Sequence, residues 1–280
     1  MKKIPQKQIH KYLRHNKSFP HVWCPGCSNG IVLGGVIRAI DEMGYEKDSV
    51  AMISGIGCSS RMPVYVDFNT AHTLHGRAIP HATGVKMFKP ELNVCVITGD
   101  GDATAIGGNH LIHAARRNID ITVILINNNI YGMTGGQYSP TTPAGAKATT
   151  MPYGNIDNTF DICDLAIGAG ATFVARTTAY HAMEIQNYVR MGFEHKGFSL
   201  IEVIAACPVI FGRLNKRGDA SSMMRTMKEE SKPLAVFEAL PDEEKEKFYP
   251  RGVLVNIDKP EYTEKYANLV ASLQKKEEAE

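Results

Sequence analysis

Three groups of residues in this 280-residue chain carry ligating or reactive side chains at spacings that imply chemistry. The first is Gly99-Asp100-Gly101-Asp102, followed one strand-to-strand crossover later by Asn127-Asn128. A hard cation such as Mg²⁺ takes one or two protein oxygens and fills its octahedron with phosphate and water, which suits a carboxylate plus a side-chain amide. A backbone carbonyl just beyond, at Ile130, offers a third oxygen. Glycine on either side of Asp100 lets the backbone come close to a ligand, and the free N–H groups at the start of the next helix favour phosphate. The inferred ligand is a diphosphate held through a metal. Gly-Asp-Gly alone is as well explained by a helix-capping turn; the spaced carboxamides turn the reading towards a site. No Gly-x-Gly-x-x-Gly follows these strands, which argues against a nicotinamide dinucleotide.

The second group is cysteine. Cys24 and Cys27 form Cys-Pro-Gly-Cys beside the single tryptophan, Cys58 follows a Gly-Ile-Gly turn, and Cys207 precedes Pro208. Four thiolates from loops suit an iron–sulfur cluster or a structural zinc. Zinc ribbons pair two short knuckles, and only one knuckle is present here, which tilts the reading to a cluster without deciding it. A thioredoxin-like dithiol leaves Cys58 and Cys207 without a role. Cys95, inside a strand pattern, and Cys163, inside a helix pattern, read as buried small hydrophobes. The third group is His75 and Arg77, with Arg61 just after Cys58. These can hold phosphate or carboxylate, or can be plain surface polar groups. Arg116 and Arg117 at a helix end are explained by the helix dipole.

The elements that must position these groups alternate. A helix over 30–43 with Ser28–Asn29 as cap and Gly44 as stop, a strand over 50–54, a helix over 76–88 ending before Pro90 and a strand over 93–98 lead to the Asp100 turn. A helix through Arg117 and a strand over 121–126 complete a βαβ unit; a strand over 171–175, a helix over 180–195 and a strand over 198–205 continue the pattern. This implies an α/β fold, a parallel sheet with helices on both faces, and ligands bind such sheets at the strands' C-terminal edge. If the two strands before Asp100 and Asn128 are neighbours, their ends lie only ~5 Å apart. The segment 127–158, rich in Gly, Pro, Thr and Asn, reads as an irregular functional loop or a mobile one. We expect one domain over 23–210, with extensions over 1–22 and 211–280.

The totals exclude several classes. With 31 basic against 29 acidic residues there is no nucleic-acid stripe or acidic tail, and the closing KKEEAE reads as a solvated end. No apolar run is long enough to span a bilayer and no signal-like h-region follows the first lysines, so a cytoplasmic protein with reduced thiols is expected.

From about Trp23 to Pro208 the chain resembles the β subunits of 2-oxoacid:ferredoxin oxidoreductases. The resemblance rests on WCPGC, GIGCSSR, LHGRAIP, the run from GDGDATAIGGNH to NNNIYGMTGGQYSPTTP, and the late Cys-Pro. It implies the diphosphate-binding domain of the thiamine diphosphate-binding fold. Asp100, Asn128 and the Ile130 carbonyl would hold Mg²⁺; Gly101, Asp102, Gly132 and Met133 would line the diphosphate. Ile56, Gly57, Cys58, Ser59 and His75 would border the cofactor, with His75 the catalytic candidate. Cys24, Cys27, Cys58 and Cys207 would carry one 4Fe–4S cluster. The implied activity is oxidative decarboxylation of a 2-oxoacid with coenzyme A, electrons passing through the cluster to ferredoxin. An α subunit carrying the pyrimidine-binding domain is the implied partner, because about 70 residues follow Cys207, too few for a second domain of that kind. Where many relatives read Thr-Lys-Gly-Gln this chain has Thr134-Gly135-Gly136-Gln137, and Arg61 stands where some have lysine. The Gly-Gly form puts 2-oxoglutarate first, with branched-chain 2-oxoacids or pyruvate as alternatives. The rivals are a non-redox thiamine enzyme, which needs no cluster cysteines, and a zinc-stabilised assembly module without catalysis.

Overall fold

The computed structural model describes residues 9–16 and 20–277. The first eight residues and the last three, parts of the expected N-terminal extension and charged end, lie outside them. The elements in chain order are α1 (Asn29–Glu42), β1 (Val50–Ser54), β2 (Asn69–His72), α2 (Ala78–Phe88), β3 (Asn93–Gly99), α3 (Gly108–Arg117) and β4 (Thr122–Asn127). There follow β5 (Ile130–Tyr131), β6 (Gln137–Tyr138), α4 (Ile162–Gly168), β7 (Phe173–Thr178), α5 (Ala182–Glu194) and β8 (Ser199–Ile204). The chain closes with α6 (Ala220–Glu230), β9 (Ser231–Pro233), α7 (Leu234–Glu238), α8 (Asp242–Lys245), β10 (Tyr249–Asn256) and α9 (Tyr262–Glu277).

One sheet has the order β2-β1-β3-β4-β8-β7-β10-β9, and β5 pairs with β6 in a separate two-stranded ribbon. The six strands from β2 to β7 are mutually parallel, and β10 adds antiparallel to β7. The central strands β1, β3, β4, β8 and β7 are buried on both faces, as continuous β-branched runs require. On one face Met52, Ile97, Ile124 and Ile201 pack with Val36 and Ile37 of α1 and Ile185 and Val189 of α5. On the other, Ile53, Val96, Val123 and Leu200 pack with Ala82 of α2, Leu111 and Ala115 of α3 and Ala166 of α4. Alternation along β3 sends Cys95 into the first core, and Cys163 enters the second from α4, where its thiol also donates to Glu202 at 3.2 Å. Among the described residues no helix is long and apolar enough to cross a membrane.

The expected helices and strands are present, with two differences that bear on the site. Ser28 stands at the N-cap of α1 but does not cap it. Its hydroxyl instead accepts from the Ala206 amide at 2.9 Å, tying the knuckle of Cys24 and Cys27 to the loop of Cys207. The helix after Asp100 does not start directly: Asp102–Ile106 forms a π turn and α3 begins at Gly108. The turn is set by Thr104 Oγ1, which donates to the Asp100 carbonyl at 2.6 Å, and by Gly107, where a Cβ would sit 2.4 Å from the Asp102 carbonyl. Helix α1 ends as expected at Gly44, whose φ of 67° is the left-handed C-terminal stop.

Candidate active site

Strands β3 and β4 are neighbours in register Gly99↔Ile126, so Asp100 and Asn128 leave the same sheet edge side by side. Between them opens a narrow cleft. Ile56, Gly57, Cys58 and Ser59 after β1, with His75, form one wall. Asp100, Gly101 and Asp102 form the floor, and Asn128, Ile130, Gly132 and Met133 the other wall. Every residue assigned to the diphosphate and its metal therefore borders a single cleft.

Asp100 is only 3% exposed, and its Oδ2 accepts from Ser139 Oγ at 2.5 Å and Thr141 Oγ1 at 2.7 Å. Burial pushes its carboxyl above the ordinary range, against the two hydroxyls, which favour the anion. Among the described residues no cationic side chain pairs with it. A buried carboxylate supplied with hydroxyls but no counter-charge fits a divalent cation. Next to it, the Asn128 carboxamide oxygen accepts from the Ile130 amide at 3.3 Å, and Asn129 takes a left-handed φ of 62°, which bends the turn from β4 into β5. Asn127 faces elsewhere: its amide donates to buried Glu202 at 2.8 Å. The asparagine pair is thus split between cleft and core.

Asp102, expected to line the diphosphate, borders the cleft but has both oxygens engaged by protein. Oδ1 accepts from His75 Nδ1 at 2.5 Å, Gly76 N at 2.7 Å and Ile56 N at 3.3 Å, and Oδ2 from Thr98 Oγ1 at 2.8 Å. A bare carboxylate repels phosphate, so this residue shapes the cleft through the segments it holds: the imidazole, the turn at Gly76 and the loop at Ile56. Gly55 is required by it, since a Cβ there would stand 2.0 Å from Oδ2. His75 stays about one third exposed, its ring centroid 5.7 Å from that of Tyr131 in an edge-on contact. Arg77 donates Nη1 to the Gly76 and Ile106 carbonyls at 3.4 and 3.3 Å.

The four loop cysteines lie near one another beside the cleft, and Cys58 alone of them lines it. All are free, Cys24 exposed and the other three partly buried, and each lies in the electrostatic field of the others. Burial raises the Cys27 and Cys207 thiols and pushes Cys58 up to about 11. Donors nevertheless point at the sulfurs: Asn29 Nδ2 at 3.2 Å from Cys27 Sγ, and the Ile210 and Phe211 amides at Cys207, in the π turn Pro208–Gly212. Gly132 bridges the two regions, because a Cβ on it would lie 3.5 Å from Cys207 Sγ and 3.8 Å from Cys58 Sγ. Trp23 Nε1 donates to the Cys58 carbonyl at 2.7 Å, fixing the loop. Among the described residues no three of His, Cys, Asp or Glu close on one point as ligands of a single ion.

Residues 55–203 match the model of the thiamine pyrophosphate enzyme C-terminal, TPP-binding domain. Over 94% of this chain the sequence is 48% identical to the 2-oxoglutarate synthase subunit KorB of Methanocaldococcus jannaschii, covering 97% of that protein. Over 70% of the chain it is 57% identical to the same-named subunit of Archaeoglobus fulgidus, covering 73% of it. The chain belongs to the 2-oxoacid:ferredoxin oxidoreductase β-subunit family. A solved structure similar in fold is the 2-oxoglutarate:ferredoxin oxidoreductase of Magnetococcus marinus with 2-oxoglutarate, coenzyme A and succinyl-CoA bound. The TM-score is 0.81 at 34% identity, with 98% of this chain and 93% of that one covered.

In this member of the β-subunit family, one cleft residue, Tyr131, and two residues that hold Asp100 from behind, Ser139 and Thr141, escape sequence reasoning. Ser139 and Thr141, the partners of Asp100, come from the irregular segment, which is well packed: Ser139, Thr141, Thr142 and Asn155 are all buried. Nothing in their spacing points to a carboxylate 39 and 41 positions earlier. Tyr131 donates to the Gly101 carbonyl at 3.0 Å, and a Cβ on Gly101 would lie 2.2 Å from its ring. Gly101 is therefore demanded by the tyrosine as well as by any ligand.

Proposed function

We propose that this chain is the diphosphate-binding β subunit of a 2-oxoglutarate:ferredoxin oxidoreductase. The reaction is 2-oxoglutarate plus coenzyme A plus two oxidised ferredoxins giving succinyl-CoA, carbon dioxide, a proton and two reduced ferredoxins. The observation that carries this reading is the adjacency of the two sites: Gly132 lies in the cleft wall and also beneath the sulfurs of Cys58 and Cys207. A non-redox thiamine enzyme has no use for that adjacency, and a zinc module has no use for the cleft. The names of the relatives support 2-oxoglutarate as the acid.

Asp100, Asn128 and the Ile130 carbonyl are the residues that would hold Mg²⁺, and Cys24, Cys27, Cys58 and Cys207 those that would hold a 4Fe–4S cluster. Bound thiamine diphosphate supplies the electron sink that lets a 2-oxoacid lose carbon dioxide. The chain's own part is local. Asp100 offers the negative charge for the metal, and the backbone at Gly101 and the π turn offer amides to phosphate. Asp102 orients His75, which presents its imidazole to the cleft, and Cys58 links the cleft wall to the redox site. An α subunit supplies the pyrimidine-binding half.

The test is anaerobic turnover of the assembled complex with coenzyme A, a low-potential dye or ferredoxin, and a panel of 2-oxoacids. 2-Oxoglutarate is expected to show the highest kcat/KM, and a preference for pyruvate or a branched-chain acid would overturn the substrate assignment.

A further inference from the structure

Behind the turn that carries Asn128 lies a charged network of Glu202, Arg176 and Asp161 that borders a second cavity. Glu202 on β8 is 2% exposed and stands across from Leu125 of β4, two positions before Asn127 at the strand end. Its Oε1 accepts from Asn127 Nδ2 at 2.8 Å. Its Oε2 accepts from Arg176 Nε at 2.6 Å and from Cys163 Sγ at 3.2 Å. Arg176, on the neighbouring strand β7 and 5% exposed, donates its Nη2 to both oxygens of Asp161 at 2.6 and 2.8 Å. Asp161 in turn caps α4 through the Asp164 amide.

The Asn127 carboxamide is fixed at both ends by this arrangement. A carboxylate can only accept, so the NH₂ must face Glu202, which turns the Asn127 oxygen to the Asn129 amide at 3.2 Å. That bond holds Asn129 at its positive φ, and Thr142 pins the same residue by donating to its carbonyl at 2.7 Å. The turn so formed carries the Asn128 side chain and Ile130.

We propose that Glu202 is a positioning residue for the metal ligands, acting through Asn127 to set the turn that presents Asn128 and Ile130 beside Asp100. This rests on the reading of those three residues as the metal site. In Glu202→Gln, the amide oxygen is claimed by Arg176 Nε, and its NH₂ then confronts the NH₂ of Asn127. Two donors repel, Asn127 turns or withdraws, and the Asn129 amide loses its acceptor. Residues that orient metal ligands from behind contribute ~10–100-fold in metal affinity, so a loss in that range is expected. Adding Asn127→Asp to Glu202→Gln restores the net charge and reverses the polarity of the bond, since the new amide donates to the new carboxylate, which still accepts from Asn129.

The experiment measures Mn²⁺ binding, as a paramagnetic substitute for Mg²⁺, by electron paramagnetic resonance with thiamine diphosphate on the assembled complex. It compares wild type, Glu202→Gln, Asn127→Ala, the double variant and Asp100→Asn. Weakened binding in Glu202→Gln and Asn127→Ala with recovery in the double variant supports the proposal, and Asn127→Ala keeps the Arg176–Glu202 pair should the first variant not fold. Wild-type affinity in either single variant, or no recovery in the double, overturns it while Asp100→Asn still loses metal. Undiminished binding in Asp100→Asn instead removes the metal reading itself, and the proposal with it.

Discussion

Replacing Asp100 by asparagine acts on the one charged residue among the three assigned to the metal. Asparagine keeps the shape and an oxygen for the Ser139 and Thr141 hydroxyls, which donate at 2.5 and 2.7 Å, and removes only the charge. Two unit charges 4 Å apart interact by about 4 kcal/mol at an effective dielectric of ~20, and stripping water from the ion takes back part of that. The net expectation is a loss on the order of 3 kcal/mol, ~10²-fold in affinity for the metal with thiamine diphosphate. The pH dependence follows from the carboxyl that burial raises above its ordinary value. Below that raised value the metal must displace a proton, so wild-type affinity falls about tenfold per pH unit on the acid side, and above it the affinity is flat. The metal-free protein behaves oppositely. A folded-state pKa raised above the unfolded one contributes stability that is full at low pH and lost as pH rises through the folded value. The variant has no such proton, so neither trend from this group survives in it. Manganese titrations of the assembled complex from acid to neutral pH measure the first trend, and urea midpoints of the metal-free protein the second. An affinity within threefold of wild type, or an unchanged acid limb, would refute the reasoning.

Cys207→Ser should lower iron content after anaerobic reconstitution while leaving thiamine diphosphate binding in place, because a serine oxygen is a harder and poorer ligand for iron; Cys163→Ser should leave iron unchanged, and iron analysis of both variants decides. Gly101→Ala should displace Tyr131, whose ring lies 2.2 Å from the added carbon, destabilising the fold by ~1–3 kcal/mol in chemical denaturation and weakening cofactor binding. The chain purified alone should not turn over any 2-oxoacid after reconstitution; dye reduction at the rate of the complex would show that no partner supplies half of the site.

The parallel sheet and its two helical layers were legible because strands buried on both faces leave unbroken apolar runs such as Val-Ile-Leu-Ile over 123–126, all buried here. That Asp100 and Asn128 leave the same sheet edge followed from the right-handed βαβ crossover, whereas the adjacency of their strands stood as a condition, which the pairing of β3 with β4 meets. The edge of the sheet was not legible. Strand β2, Asn-Thr-Ala-His, carries polar, mostly exposed side chains, and β10 breaks its own pattern with Pro250 and Gly252. Both are held by register with a neighbour, which periodicity does not encode. The site shows the same division. Asp100, Asn128 and the cysteines announce themselves by type and spacing, whereas Ser139, Thr141 and Glu202 belong to the site only through contacts 39 to 75 positions away. Ser28 misled for a related reason: a local cap and a long-range acceptor compete for one hydroxyl, and the Ala206 amide won.

Asp100 and Asp102 sit two residues apart at one strand end and have opposite environments, which bears on the order in which the site fills. The π turn starting at Asp102 swings that carboxylate back among four donors, one of them an imidazole, so its charge is balanced inside the protein. Asp100 remains with two neutral hydroxyls and is raised by burial. A diphosphate entering such a cleft alone would meet an uncompensated carboxylate, and like charges a few ångströms apart in a partly desolvated space are costly. A divalent cation reverses the sign of the encounter, because it satisfies Asp100 and attracts phosphate together. On the proposed reading, then, the cleft takes metal and diphosphate as one unit, and titrating either without the other should give binding far weaker than the two combined.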